Sequence, residues 1–146
     1  MRAWLGETSF VEFAGTYLHR QPVARSGATH FPSFGWNALG RILEGDPAPD
    51  ALVVARGELM HVPAPRSLEA LRRLMTRGVG LVIRRSERCD TRLAALAQTF
   101  TADLAGEAHV QLFATPAGTH GFGWHYDEEH VFVAQMEGIK DYYLRA

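Results

Sequence analysis

The sequence predicts an α+β fold, and three observations carry that expectation. Apolar residues recur at helical spacing through much of the first hundred positions. After Gly106 the texture changes to runs rich in Val, Phe and Tyr, separated by turn residues. No linker divides the chain, so its 146 residues are read as a single domain, with a helix-rich leader over 1–106 and a strand-rich part over 107–146.

The elements follow in order. Ser9-Phe-Val-Glu12 has the form of a capping box. Phe10, Phe13, Ala14, Tyr17 and Leu18 then continue at helical spacing, predicting a helix from about 9 to 19 that stops before Pro22. Residues 20–34 read as loop, with Pro22, Gly27 and Pro32. Trp36, Leu39, Ile42 and Leu43 predict a short second helix, ended by Gly45-Asp-Pro47. Ala51-Leu-Val-Val-Ala55 is a brief strand, and 59–62 is a candidate for another. Ser67 opens an amphipathic helix running to Met75 and closed by Gly78, and Gly80-Leu-Val-Ile-Arg84 is a strand. The longest helix covers about 90–105, with Leu93, Leu96, Ala97, Phe100 and Leu104 on one stripe and Gly106 as its C-cap. Strands are expected at 108–115, 124–128, 131–137 and 139–145.

Composition narrows the function classes. A hydrophobic fraction of 47% supports a core, and net charge −1 gives no electrostatic case for nucleic acid or an anionic membrane surface. No apolar run approaches the ~20 residues of a membrane span. The N-terminal residues lack a long apolar segment of the signal-peptide kind, and the one cysteine, Cys89, has no internal partner for a disulfide. A reducing, cytoplasmic setting is expected.

The chemistry concentrates in Thr115-Pro-Ala-Gly-Thr-His-Gly-Phe-Gly-Trp-His-Tyr-Asp127 and in Val131-Phe-Val-Ala-Gln-Met-Glu-Gly-Ile-Lys140. On a strand, residues i and i+2 share a face, so His125 and Asp127 would point together. An imidazole beside a carboxylate offers two bonds to a divalent metal. Iron(II) oxygenases use two histidines and one carboxylate, leaving the remaining positions open. Gly118, Gly121 and Gly123 would let the backbone turn tightly before the pair.

With these flanks, the pattern Thr-Pro-Ala-Gly-x-x-Gly-Phe-Gly-x-His-x-Asp followed by Val-Phe-Val-x-Gln-x-x-Gly-x-Lys resembles the JmjC and cupin-like iron(II)- and 2-oxoglutarate-dependent oxygenases. The ribosomal-oxygenase branch is closest in texture, and the specific likeness covers about 108–145. The resemblance implies the first strands of a double-stranded β-helix (jelly roll), with His125 and Asp127 as iron ligands and catalytic centre. It also implies that Lys140 pairs with the distal carboxylate of 2-oxoglutarate. An ammonium in a half-buried pocket suits that carboxylate. The implied reaction is hydroxylation of a protein side chain, a peptide or a small metabolite, consuming oxygen.

The family's second metal-binding histidine lies farther downstream than Ala146, so the barrel is expected to be incomplete, with only the N-terminal part of the domain present. Three explanations stand side by side: a piece of a longer oxygenase, a shortened homologue that works as a homodimer, or a cupin-like interaction module without catalysis. His130, five residues after His125, would face the opposite side of a regular strand and make a poor ligand. His120 lies in the glycine-rich loop and is a candidate to bend inward, whereas Glu129 turns to solvent.

Other motifs read as structural. His125 to His130 lacks the spacing of a zinc-protease helix. Gly78-Val-Gly80 precedes a strand, so it is no dinucleotide fingerprint. Arg72, Arg73, Arg77, Arg84, Arg85 and Arg88 read as a solvated face. Cys89 is flanked by arginine and is a candidate for modest activation, though no catalytic partner is visible. Trp36, Phe31 and Phe34 read as core or interface. Gln111, Phe113 and Tyr142 are candidates to line a cosubstrate pocket, and His19, His30, His61 and His109 receive no role.

Overall fold

The structure, a computed structural model, describes residues 1–26 and 34–145. Gly27, His30, Phe31 and Pro32 lie outside the described residues. The fold is α+β, with helices α1 (Phe10–Thr16), α2 (Trp36–Glu44), α3 (Leu68–Met75) and α4 (Thr91–Leu104) and strands β1 (Ala51–Ala55), β2 (Glu58–Met60), β3 (Val79–Ile83) and β4 (Leu112–Ala114). Packing divides the chain into two compact units. One contains Met1 and 36–126; the other contains 2–35 and 127–146.

The first unit is built on a four-stranded antiparallel sheet in the order β2-β1-β3-β4. β1 and β2 form a hairpin in which Ala55 faces Glu58. Its two-residue loop, Arg56-Gly57, has φ 54° and 81°, the left-handed pair that a tight hairpin demands. β3 is central: Leu81 is paired with Val53 on one side and Ala114 on the other. Gly80, Leu81, Val82 and Ile83 are all buried, so this apolar run is the core of the sheet.

Gly80 has a second reason to be glycine. A Cβ there would lie 2.9 Å from the Ala114 carbonyl oxygen, so a side chain would push β4 away.

The helices of this unit begin as their sequences dictate. Ser67 accepts a hydrogen bond from the Ala70 N–H at 3.1 Å, and Asp90 caps α4 by accepting from the N–H groups of Arg92 and Leu93. Leu43, Leu71 and Ile83 are fully buried, and burial of each such side chain contributes about 1.5–3 kcal/mol. Along α4, Leu93, Ala97 and Phe100 form the buried stripe. Its left-handed terminal residue is Ala105, φ 53°, one position before the expected Gly106. The helix ends where its apolar stripe ends, and the alanine adopts the turn.

In the second unit, Ser9 caps α1 by accepting from the Glu12 N–H at 3.1 Å, as the capping box requires. The helix is shorter than expected, ending at Thr16, with turns continuing to Arg20. Phe13 is buried and its ring lies 6.0 Å from that of Phe132, joining the two stretches of chain that make up this unit.

The strands expected at 124–128, 131–137 and 139–145 are not formed among the described residues, and the one at 108–115 shortens to Leu112–Ala114. Three of the four strands thus precede residue 84. The physical reason is that a strand is a pairing. These segments have β composition, but no ladder partner takes up their N–H and C=O groups, and nearly all their residues are exposed.

Candidate functional site

Between β3 and α4 the chain makes a 3-10 turn, Ser86–Arg88, that anchors the approach to β4. Ser86 is fully buried. Its backbone N–H and its hydroxyl both donate to the Val110 carbonyl, at 2.9 and 2.8 Å. Glu87 accepts from the Val110 N–H at 3.0 Å and contacts His109 Nδ1 at 3.1 Å, while Glu107 meets His109 Nε2 at 3.2 Å. Burial pushes the Glu87 carboxyl upward, but hydrogen bonds from Val110, its own backbone and His109 outweigh this and hold it below the usual carboxylate range. His109, assigned no role from sequence, is therefore part of the clip that sets the start of β4.

From β4 the chain enters the glycine-rich segment. Residues 115–122 fold back over β1, β3 and β4, leaving a void of about 10 Å³ lined by Val54, Gly80, Phe113, Pro116, His120 and Phe122. That is room for about one water and no substrate. The loop also passes over the β1–β2 turn: a Cβ on Gly57 would lie 3.3 Å from the Gly123 nitrogen and 3.5 Å from His120 Nε2.

His125 follows on exposed, non-strand backbone. Its Nδ1 lies 2.8 Å from the Gly123 carbonyl oxygen. A carbonyl only accepts, so Nδ1 is the donor in this contact, which in a neutral imidazole leaves the lone pair on Nε2. The Phe122 ring stands edge-on to this imidazole at 6.0 Å. The glycine thus supplies more than a turn: its carbonyl fixes the histidine tautomer.

Asp127 begins the stretch belonging to the second unit and is exposed. Lys140, in that unit, is half-buried, with Nζ 5.2 Å from the centre of the Tyr142 ring. Burial raises the Tyr142 hydroxyl above the ordinary tyrosine range. Lys140 and Tyr142 are therefore neighbours, although the strand expected over 139–145 is not formed among the described residues. Among the described residues no three His, Cys, Asp or Glu side chains gather into a metal-binding group.

Two further expectations meet the structure differently. Cys89 is not activated: burial and the Glu87 carboxylate push its thiol upward, against any effect of the neighbouring arginines. His130, read as a poor ligand, meets His19 in the second unit with ring centres 4.1 Å apart. No local sequence signal announces a pair separated by 111 positions. All six arginines of the basic cluster are exposed, as a solvated face requires, and Arg84 pairs with Asp50 at 2.9 Å.

Residues 83–146 match the family model of the JmjC domain. This supports the JmjC and cupin-like family for a stretch running from the end of β3 through the Ser86 clip, β4 and the His-x-Asp motif. The match covers somewhat less than half of the chain. No curated protein and no solved structure matches. No helix among the described residues is long and apolar enough to cross a membrane.

Proposed function

We propose that the JmjC-like segment belongs to an iron(II)- and 2-oxoglutarate-dependent oxygenase, with His125 and Asp127 as metal ligands and Lys140 as the anchor of the cosubstrate. The observation that carries this reading is the JmjC match over 83–146, which includes the His-x-Asp pair and the lysine. The donor set suits the metal, because an imidazole and a carboxylate are two of the three ligands of a non-haem iron(II) site. The Gly123 carbonyl supports the same role, since a metal-binding histidine commonly donates its other ring N–H to such an acceptor.

When bound, iron(II) with 2-oxoglutarate and oxygen supplies oxidative hydroxylation of a C–H bond, with succinate and carbon dioxide as co-products. This chain's residues bind and orient. Nε2 of His125 and the carboxylate of Asp127 hold the ion, the Gly123 carbonyl keeps the imidazole in the ligating tautomer, and the Lys140 ammonium, steadied over Tyr142, pairs with the far carboxylate of the cosubstrate. The texture of 115–127 favours the ribosomal-oxygenase-like branch, acting on a protein side chain, a peptide or a small metabolite in a cytoplasmic setting.

The test is anaerobic iron(II) titration of the full chain with 2-oxoglutarate, followed by the visible metal-to-ligand charge-transfer band. A band present in the parent and lost in His125→Ala supports the reading. A band unchanged by that substitution overturns it.

A second reading has its own observation. Trp124, Val131, Ile139, Tyr143 and Leu144 are exposed, and so much apolar surface in one stretch suits a cupin-like module that binds another protein or a second copy of itself. A dimer mass in solution with no metal uptake would favour it.

A further inference from the structure

We infer that the groove between α2 and α3 is a docking site for an acidic peptide segment of a partner protein, one that carries an apolar side chain beside a carboxylate. The groove lies within the first unit and is lined by Trp36, Arg72, Met75, Thr76, Pro116 and Ala117. It originates in the helix spacing. A Cβ on Gly40 would lie 3.5 Å from Leu68 Cβ, so the glycine lets α2 and α3 close together at that point. Trp36 lies one turn before Gly40 and Arg72 one turn after Leu68, on the same stripes of the two helices. Beyond the glycine contact, these larger side chains border an open trough.

Surface, charge and shape select the occupant. Half-buried Trp36 and Met75 and buried Pro116 make the surface apolar, and a flat indole beside an adaptable thioether accepts an apolar side chain. Arg72 supplies the charge. Arg73, Arg84 and Arg92 are each paired with a carboxylate. The exposed Arg72 guanidinium has no ion pair among the described residues, and no carboxylate among them lines the groove. The trough has about 520 Å³ of room but lies open to solvent, so it does not enclose a small molecule. A chain segment lying along it is the ligand that such a shape suits.

The helix ends do not decide the sign. The N-terminus of α2 and the C-terminus of α3 both border the groove, and their partial charges oppose each other. The N–H groups of Thr76, Arg77 and Gly78 already donate to the carbonyls of Arg72, Leu74 and Met75 at the end of α3. Arg72 is therefore the charge that an incoming carboxylate meets. Tryptophan and arginine are also the side chains that most often dominate binding at protein surfaces. Recognition here uses none of the proposed metal ligands, so it stands apart from the iron reading.

The test is nuclear magnetic resonance on the isotope-labelled full chain without metal, with acetyl-Glu-Leu-Glu-amide as probe and acetyl-Lys-Leu-Lys-amide as control. The three tryptophans give three indole N–H signals, and Trp36→Phe identifies the one in the groove. The expected result is saturable movement of the Trp36 signal by the glutamate peptide at about millimolar affinity, at least about tenfold weaker in Arg72→Gln. The lysine peptide should leave that signal in place. Arg72 is exposed, and circular dichroism checks the fold of its variant. A Trp36 signal that the glutamate peptide does not move, equal movement by both peptides, or an affinity unchanged in Arg72→Gln would overturn the assignment. A signal that moves with protein concentration and not with peptide would also overturn it, giving the groove to a second copy of this chain.

Discussion

Ser86 grips Val110 twice through a single carbonyl, by its backbone N–H at 2.9 Å and its hydroxyl at 2.8 Å, in a position closed to solvent. This contact, together with Glu87, fixes where the chain enters β4 and hence where the glycine-rich segment begins. Ser86→Ala removes one of the two donors and leaves the other. Stability should fall by about 0.5–1.5 kcal/mol, read as a shift of the urea midpoint at unchanged slope.

Glu87 gives the clip a pH dependence. Its folded carboxyl is held below its ordinary value, so its stabilising contribution is fully present above the unfolded value of about 4.3 and is lost as pH falls through the folded one. Glu87→Gln should therefore be less stable than the parent at pH 6, with the difference shrinking below about pH 4.3. Urea midpoints at pH 6 and at acid pH check this; a constant difference would contradict it.

Gly80→Ala probes the closeness of β3 and β4. The added Cβ meets a backbone oxygen at 2.9 Å, which cannot swing aside as a side chain would. A loss of about 1–3 kcal/mol is expected, together with faster amide exchange in Leu112–Ala114.

Ala105 offers a change in the opposite direction. An alanine at φ 53° carries a left-handed penalty that glycine lacks. Ala105→Gly should raise stability by up to about 1 kcal/mol, offset in part by the greater freedom of glycine in the unfolded chain. A higher melting temperature is the readout.

The proposed ligands should separate by what they bind. Asp127→Ala should abolish iron uptake. Lys140→Ala should retain it and weaken 2-oxoglutarate by about tenfold, the scale of one lost charged hydrogen bond. Parallel iron and cosubstrate titrations distinguish the two.

Local signals in the sequence were reliable where a single residue decides the outcome. Ser9 and Ser67 cap the helices they were expected to open, and the run at Gly80–Ile83 is the buried strand it resembles. Where the outcome depends on a distant partner, composition was insufficient. The segments after Trp124 are rich in valine and tyrosine, yet pairing decides strands and no ladder takes them up among the described residues. His19 and His130 lie 111 positions apart, and neither has a neighbour in sequence that points to the other. His125 was legible as a donor, but the Gly123 carbonyl that fixes its tautomer is a matter of geometry.

The second unit draws on stretches at opposite ends of the numbering, 2–35 and 127–146. That arrangement has a cost in time. During synthesis at about 5–20 residues per second, Phe13 waits several seconds or more before Phe132 exists to cover it. In that interval α1 presents an apolar ring with no native neighbour, a natural substrate for a chaperone. The first unit, whose β1–β2 hairpin and β3 follow closely in sequence, can assemble meanwhile. The nascent protein should therefore acquire protease resistance in two steps, the sheet first and the joined ends last.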